Sequence, residues 1–556
     1  MDRRFLLGVA LMVLIALAPS VLFKKQPKPV PVQTDGRTGG QADSSPVAPP
    51  AAVTPAAPAP ALPSVRPPDR LSAPEDTIPV SSGLYRYSFS TRGGRLIQAV
   101  LDEYHPTVKG QGKAPLALLP AEGALFDLAV LAGNDTLHPG DWTLTPSANQ
   151  LDVTAPATIT FTGSQDGRTA AITYRLHPDG YQIEVSGQIT GVGPNGGMLL
   201  VGLGHGLRNT EADSANNARE FALVTRQQES KLLRLQSLDP GETRTLAGPF
   251  EWVGLKSKYF VTAVLAGDEP APRISGAVLT ALPVQPGYKK PTGAQTWLSL
   301  PLGADGRFSF EAYVGPMEFK RLKAMGHDFD DVNPYGWPGF RTVIRFFAAP
   351  VRWLLLGMHQ VLGLGYGIVL IIFGILVKLV LWPLQAKAMR SSMKMQELQP
   401  EMKRLQTKYS ADPAKLNAEM MALYKTHNVN PLGGCLPMLL PMPFLLALFV
   451  VFQYSIELRG APFLWLTDLS QHDPYYIIPV VMGLSMYATT KVGQIGMPPN
   501  PQMTMMVYVM PAMMTFLFAQ FPAGLNLYYA VQNIAGLPQS WMMMKERVKR
   551  NPIQKK

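Results

Sequence analysis

Apolar and polar positions along the chain change their period three times, and each change marks a different kind of structure. Phe5 to Phe23 is an apolar run of 19 residues flanked by Arg3, Arg4, Lys24 and Lys25, long enough to cross a bilayer at about 1.5 Å per residue. Ala16-Leu17-Ala18 has the small residues of a cleavage site, but Pro19 would stand directly after the cut. Residues 1–25 therefore read as an uncleaved signal anchor, N-terminus inside, with a cleavable signal peptide as the alternative. Residues 26–80 are dominated by Pro, Ala, Gly, Ser and Thr. Such a stretch cannot bury enough apolar surface to offset its ordering entropy, so it predicts a disordered spacer. From about Ser81 the period becomes two. Thr158–Thr162 and Ala171–Arg175 alternate around Asp166-Gly167, and Tyr181–Val185 follows Asp179-Gly180. These hairpin signals recur to about Gly315 and predict a large antiparallel β-sandwich domain over residues 81–335. Following an anchor, it belongs outside the cytoplasm.

Between Gly339 and Leu362 the period turns helical. Arg341, Arg345, Arg352 and His359 share one face, while Phe346, Phe347, Trp353, Leu354 and Leu355 fill much of the rest. Residues 336–364 thus predict an amphipathic helix lying in the membrane interface, with a soluble docking helix as the alternative. Five apolar segments follow, at 366–384, 436–454, 475–490, 503–520 and 524–544. With the anchor they make a six-span α-helical membrane protein. Segments 475–490 and 503–520 are short for a hydrocarbon core of about 30 Å, which implies local bilayer thinning.

Charge orients these spans. The 556-residue chain carries a formal net charge of +11, and residues 331–556 hold 20 basic against 9 acidic residues, so the whole excess sits in the most apolar part. Residues 385–430 carry eight basic residues against four acids, and the tail from Lys545 carries six against one. The opposite loop 455–474 has Arg459 against Glu457, Asp468 and Asp473. Both termini are therefore expected inside. Segment 385–430 reads as a cytosolic helical hairpin that breaks at Ser410–Pro413, with Pro413 suited to a first helical position. Residues 546–556 form a basic cytosolic tail. One cysteine excludes a disulfide framework and any Cys-clustered metal site.

The sequence has no GxxxxGK[ST] phosphate loop and no HExxH. Gly483-Leu-Ser485 has the Gly-x-Ser of intramembrane serine proteases, but no histidine follows His472 to act as base. What remains is polarity inside the spans. Lys378 interrupts segment 366–384, and no intramembrane Asp or Glu could pair with it. A basic residue near a helix centre costs about 2.5–3.5 kcal/mol on insertion scales, so it faces a cavity or partner unless it snorkels. Asn526, Tyr529 and Asn533 share one face of the last span beside Tyr528 and Gln532, and Ser485, Thr489, Thr504 and Gln520 add polar groups nearby. Together they predict a water-containing substrate groove, ordinary interhelical hydrogen bonding being the alternative. Twenty of the 26 methionines lie beyond residue 385. Met389, Met393 and Met395 on the hairpin predict a flexible thioether surface for varied apolar segments.

Several stretches resemble a known family: Trp382-Pro-Leu, Met395-Gln-Glu-Leu-Gln-Pro400, Met420-Met-Ala-Leu-Tyr-Lys425, Asn430-Pro-Leu-Gly-Gly-Cys435, Asp473-Pro-Tyr-Tyr476, Phe521-Pro-Ala-Gly-Leu-Asn-Leu-Tyr-Tyr529 and Ser90-Thr-Arg-Gly-Gly94. In these the chain resembles the YidC/Oxa/Alb family of membrane protein insertases, in the Gram-negative form with a large periplasmic domain. The likeness spans essentially its whole length and is strongest from about Tyr335. It implies a galactose-mutarotase-like supersandwich without sugar catalysis, a bacterial inner-membrane location, and no enzyme activity or cofactor. It also implies integration and folding of nascent membrane proteins, alone or beside SecYEG and its associated subunits. Ribosome contact through the hairpin and basic tail, lipid contact and action as a monomer complete the expectation. Lys378 occupies the place of the family's groove arginine; Pro441 and Gly374 replace polar groove residues. Two other classes compete. A small-solute transporter predicts inverted repeats and midplane carboxylates, neither of which the sequence contains. A membrane-tethered carbohydrate-binding module predicts sugar binding by the β domain alone.

Overall fold

The computed structural model describes residues 75–108, 114–133, 135–193, 196–267, 273–334, 341–427, 442–496 and 501–550. The predicted anchor, most of the spacer, the Asn430–Cys435 motif, Pro441 and the last residues of the tail lie outside them.

Among the described residues, twenty strands, from β1 (Thr77–Ser81) to β20 (Arg307–Pro316), build the β domain. The spacer gives way to structure earlier than its composition predicts. Ile78 and Val80 of β1 are buried, and Thr77 pairs with Ser90 of β2 (Tyr85–Ser90). Two apolar residues at alternate positions are enough to add a strand to a waiting edge, although too few to stand out in a Pro-rich background. The strands form sheets of five, nine and six. Only β1 and β8 (Leu151–Asp152) run parallel among the described pairs. The Asp166-Gly167 hairpin is present as predicted: β9 (Ala157–Gln165) pairs with β10 (Arg168–Leu176) from Gln165 opposite Arg168. Asp166 and Gly167 take φ of 53° and 73°, the left-handed pair a two-residue turn requires. Alternation along β10 turns Ala170, Ile172, Tyr174 and Leu176 inward. There Tyr174 meets Phe89, Phe126 and Phe161 at ring-centroid distances of 4.7 to 6.0 Å.

Helix α1 (Ser214–Glu220) inserts between strands, and α2 (Phe319–Ala324) leads out of β20. Glu318, just before α2, accepts from Tyr104 Oη at 2.6 Å and pairs with Arg321 at 2.7 Å, clamping this exit onto the sheet. Helix α3 (Arg341–Leu362) is the predicted amphipathic helix, and its basic face is docked on the β domain. Arg341 donates to the Ser230 carbonyl at 2.7 Å, Arg345 pairs with Asp328 and Asp330 at 3.2 and 3.4 Å, and the Arg352 guanidinium lies over the Phe319 ring. Phe346 and Trp353 on the other side are each 72% exposed.

The other helices among the described residues are α4 (Tyr366–Glu397), α5 (Gln399–Lys408), α6 (Pro413–Thr426), α7 (Met442–Tyr454), α8 (Ile477–Gln494), α9 (Pro501–Phe518) and α10 (Ala523–Arg550). By length and hydropathy together, α4 alone among the described helices suffices to cross a bilayer, within Tyr366–Met395; Phe444–Tyr454 and Thr504–Phe518 are shorter apolar helices. Helix α4 runs unbroken from its apolar part into the first arm of the hairpin. The predicted break is built by Asp412, whose carboxylate accepts from Lys415 N at 3.0 Å while Pro413 opens α6. A second break at Leu398 divides the first arm.

Candidate substrate groove

Polar side chains of α4, α8 and α10 meet along one seam. Helix α10 stands in the middle. On one flank Gln532 Nε2 donates to the Gly374 carbonyl at 2.6 Å, and two turns further along Gln539 Nε2 reaches the Trp382 carbonyl at 3.3 Å. On the other flank Asn533 Nδ2 lies 3.3 Å from both Ser485 Oγ and the Met482 carbonyl. Thr489 Oγ1 bonds the Ser485 and Asn533 carbonyls, each at 2.9 Å.

Lys378 lies between these flanks, half-buried, with its Nζ donating to Gln385 Oε1 at 2.7 Å. Gly536 makes the space: a β-carbon there would sit 3.2 Å from Lys378 Nζ and 3.8 Å from Thr489 Cγ2. The ammonium is turned along its own helix toward the C-terminal part of α4, and its partner is a neutral amide. Among the described residues no carboxylate pairs with it.

Of the predicted groove residues, Lys378, Ser485, Thr489, Gln532 and Asn533 come together. Others do not. Asn526 is 0% exposed and donates to the Phe518 carbonyl at 2.9 Å. Tyr528 is buried against Phe373 and Phe452, and Tyr529 packs edge-on to Phe518 at 5.3 Å. Helical spacing places these residues on related faces but says nothing of depth, and near its N-terminal end this face of α10 is closed by packing. Thr504 and Gln520 are exposed at the two ends of the α9 segment. Met393 is buried and Met389 and Met395 are half-buried, so Met393 belongs to packing rather than to an open surface.

Sequence reasoning missed Gln385, Gln539 and Gly536. Gln385 falls one residue past the apolar window, although its i+7 spacing from Lys378 shares that residue's face. The Gly-x-Ser stretch is explained by packing. A β-carbon on Gly483 would fall 1.8 Å from Thr515 Oγ1 of α9, and Ser485 Oγ donates to its own helix at Met482.

Toward the C-terminal end of α10, Arg390 grips Glu546 through two bonds, at 2.9 and 3.2 Å. Arg547 donates to the Gly493 carbonyl at 2.7 Å. Helix α10 thus extends six residues past the predicted span, and part of the tail charge is engaged there.

Comparison with known proteins decides the family. Residues 77–354 match the model of the YidC periplasmic domain, and residues 357–551 match that of the 60Kd inner membrane protein. A membrane protein insertase YidC from Geobacter sulfurreducens is 33% identical over 477 residues, 82% of this chain and 84% of its own. This chain belongs to the YidC family of membrane protein insertases. Membership makes it a bacterial inner-membrane protein, in a family defined by insertion rather than by a catalysed reaction. Among solved structures, an active YidC insertase with its first transmembrane domain resolved covers 84% of this chain and 93% of its own at 18% identity, TM-score 0.34. A galactose mutarotase related enzyme from Lactobacillus acidophilus covers 43% of this chain and 97% of its own at 11% identity, TM-score 0.28.

Proposed function

We propose that this chain integrates and folds inner-membrane proteins, alone or beside SecYEG and its associated subunits, acting as a monomer through a groove open to cytoplasm and lipid. The observation that carries the reading is the half-buried Lys378, bonded to a neutral amide within the polar seam of α4, α8 and α10. The hairpin and basic tail, both cytosolic together with the two termini, receive the nascent chain from the ribosome and contact anionic lipid. The groove admits the short extracytoplasmic segment of the substrate part-way, and Lys378 attracts acidic residues in it. Met389 and Met395 offer the hairpin's adaptable apolar contacts, and Thr504 and Gln520 mark the ends of the outer wall. Helices α8 and α9, at 18 residues each, span about 27 Å. Thinning of the bilayer around them lowers the remaining barrier, and the apolar segment leaves sideways into lipid. The β domain lies in the periplasm.

The test is complementation. Cells depleted of their own insertase and supplied with this chain should integrate a short single-span substrate of the phage-coat type, read by protease protection of its translocated segment. A chain that is expressed and membrane-embedded yet leaves that segment unprotected refutes the proposal.

A further inference from the structure

The loop that follows α7 joins the β domain to the outer ends of the seam helices. Arg459 Nε lies 3.0 Å from both carboxylate oxygens of Glu211, and its Nη2 donates to the His105 carbonyl at 2.8 Å. The guanidinium sits over the Phe260 ring at 5.4 Å. The side chains of Arg459 and Glu211 are 4% and 8% exposed, so this is a buried ion pair made across 248 positions of sequence. Nearby, Tyr454 Oη at the end of α7 reaches Glu220 at 3.5 Å.

The same loop closes three helices. The amides of Ala523 and Gly524, the first of α10, donate to the Gln471 and Leu469 carbonyls at 2.7 and 2.9 Å. Those are N–H groups a helix start leaves without an internal partner. Asp473 caps α8 by accepting from Ile478 N at 2.8 Å, and Phe463 packs where a β-carbon on Gly367 of α4 would stand.

We propose that Arg459 is a positioning residue for the groove. Through it, the attachment of the β domain fixes the loop that holds the outer ends of α4, α8 and α10. It thereby sets the spacing between the helix faces that carry Lys378, Thr489 and Gln532. This assigns the β domain a task inside the insertase, that of a fixed mount, and it stands on contacts that need no substrate to be present.

Hydrogen exchange on the full-length chain in lipid nanodiscs tests it. Arg459→Gln or Glu211→Gln leaves the other charge buried without its partner. Each should raise exchange at the Ala523 and Gly524 amides at least tenfold and loosen peptides of 455–474, while strands β11 (Gln182–Ile189) and β20 remain protected. Arg459→Lys, which keeps the charge but cannot serve both Glu211 and His105, should fall between. The double Gln variant should recover at least half the lost protection. Unchanged exchange at 523–524 in both single variants overturns the proposal. So does a parallel rise in β11 and β20, or a double variant no better than the worse single one. Because exchange is read without substrate, its outcome is separate from any failure of the insertion assay.

Discussion

Reversing the charge at position 378 should separate substrates by the sign of their translocated segment. Lys378 is half-buried and its ammonium is bonded to Gln385 at 2.7 Å, so a carboxylate entering the proposed groove would meet a cation shielded only in part from solvent. At a separation of about 6 Å and an effective dielectric of about 40, between the surface value and water, two unit charges interact by roughly 1.4 kcal/mol. Lys378→Gln removes that attraction, and Lys378→Glu turns it into repulsion of similar size, a swing of about 3 kcal/mol. At tenfold per 1.4 kcal/mol, integration of a substrate with one acidic residue in its short tail should fall about tenfold with Gln and roughly 100-fold with Glu. A neutral-tailed sister substrate should change by less than threefold. Lys378→Arg should match the parent, since it keeps the positive charge on a flexible stem. The assay is protease protection in depleted cells carrying each variant at equal membrane abundance. Equal integration of the acidic substrate by the Glu and Arg variants would refute the charge mechanism. Equal losses for acidic and neutral tails under Glu would show that the residue acts by packing instead.

Three further outcomes follow from the packing and the buried charges. Gly483→Ala places a methyl 1.8 Å from Thr515 Oγ1 and should destabilise the α8–α9 contact by about 1–3 kcal/mol; a lowered Tm in detergent, largely restored by adding Thr515→Ala, would confirm it. Asp473 is fully buried and accepts from Ile478 N, Tyr475 N and Trp465 Nε1, so Asp473→Ala should cost at least about 2 kcal/mol through orphaned donors, again read by thermal melting. Burial pushes the Lys256 ammonium down to about 8, against the pull of Glu220 3.8 Å away. Folded Lys256 therefore holds its proton less tightly than the unfolded chain does. Stability should be lowest below pH 8 and rise by about 2 kcal/mol between pH 7 and 9.5, and denaturant melts of Lys256→Met should lose that slope.

What the sequence could reveal was whatever has a local period. The β9–β10 hairpin was legible because two left-handed residues between alternating strands leave one register. The Asp412–Pro413 helix start was legible because both residues act within one turn. The amphipathic nature of α3 was legible too, but not the object its basic face meets, since a period fixes a direction on a helix and never what lies there. The same limit explains Asn526 and Tyr528, which share helical spacing with Asn533 yet lie where the helices have closed together. Gln385 escaped because hydropathy ended the span one residue too soon. Arg459 looked like one charge in a loop tally, since its partner Glu211 stands in another domain.

Helix α3 changes what a deletion experiment would mean. Its arginines are held by Ser230, Asp328 and Asp330 of the β domain, while Phe346 and Trp353 point away from it. Excising that domain would not subtract a module from an otherwise intact machine. It would free Arg341 and Arg345 to seek anionic headgroups, turning a strut into a floating interfacial helix with its own preferred tilt and depth. A truncated chain that still inserts substrates would then report on a protein anchored by lipid where the intact one is anchored by protein.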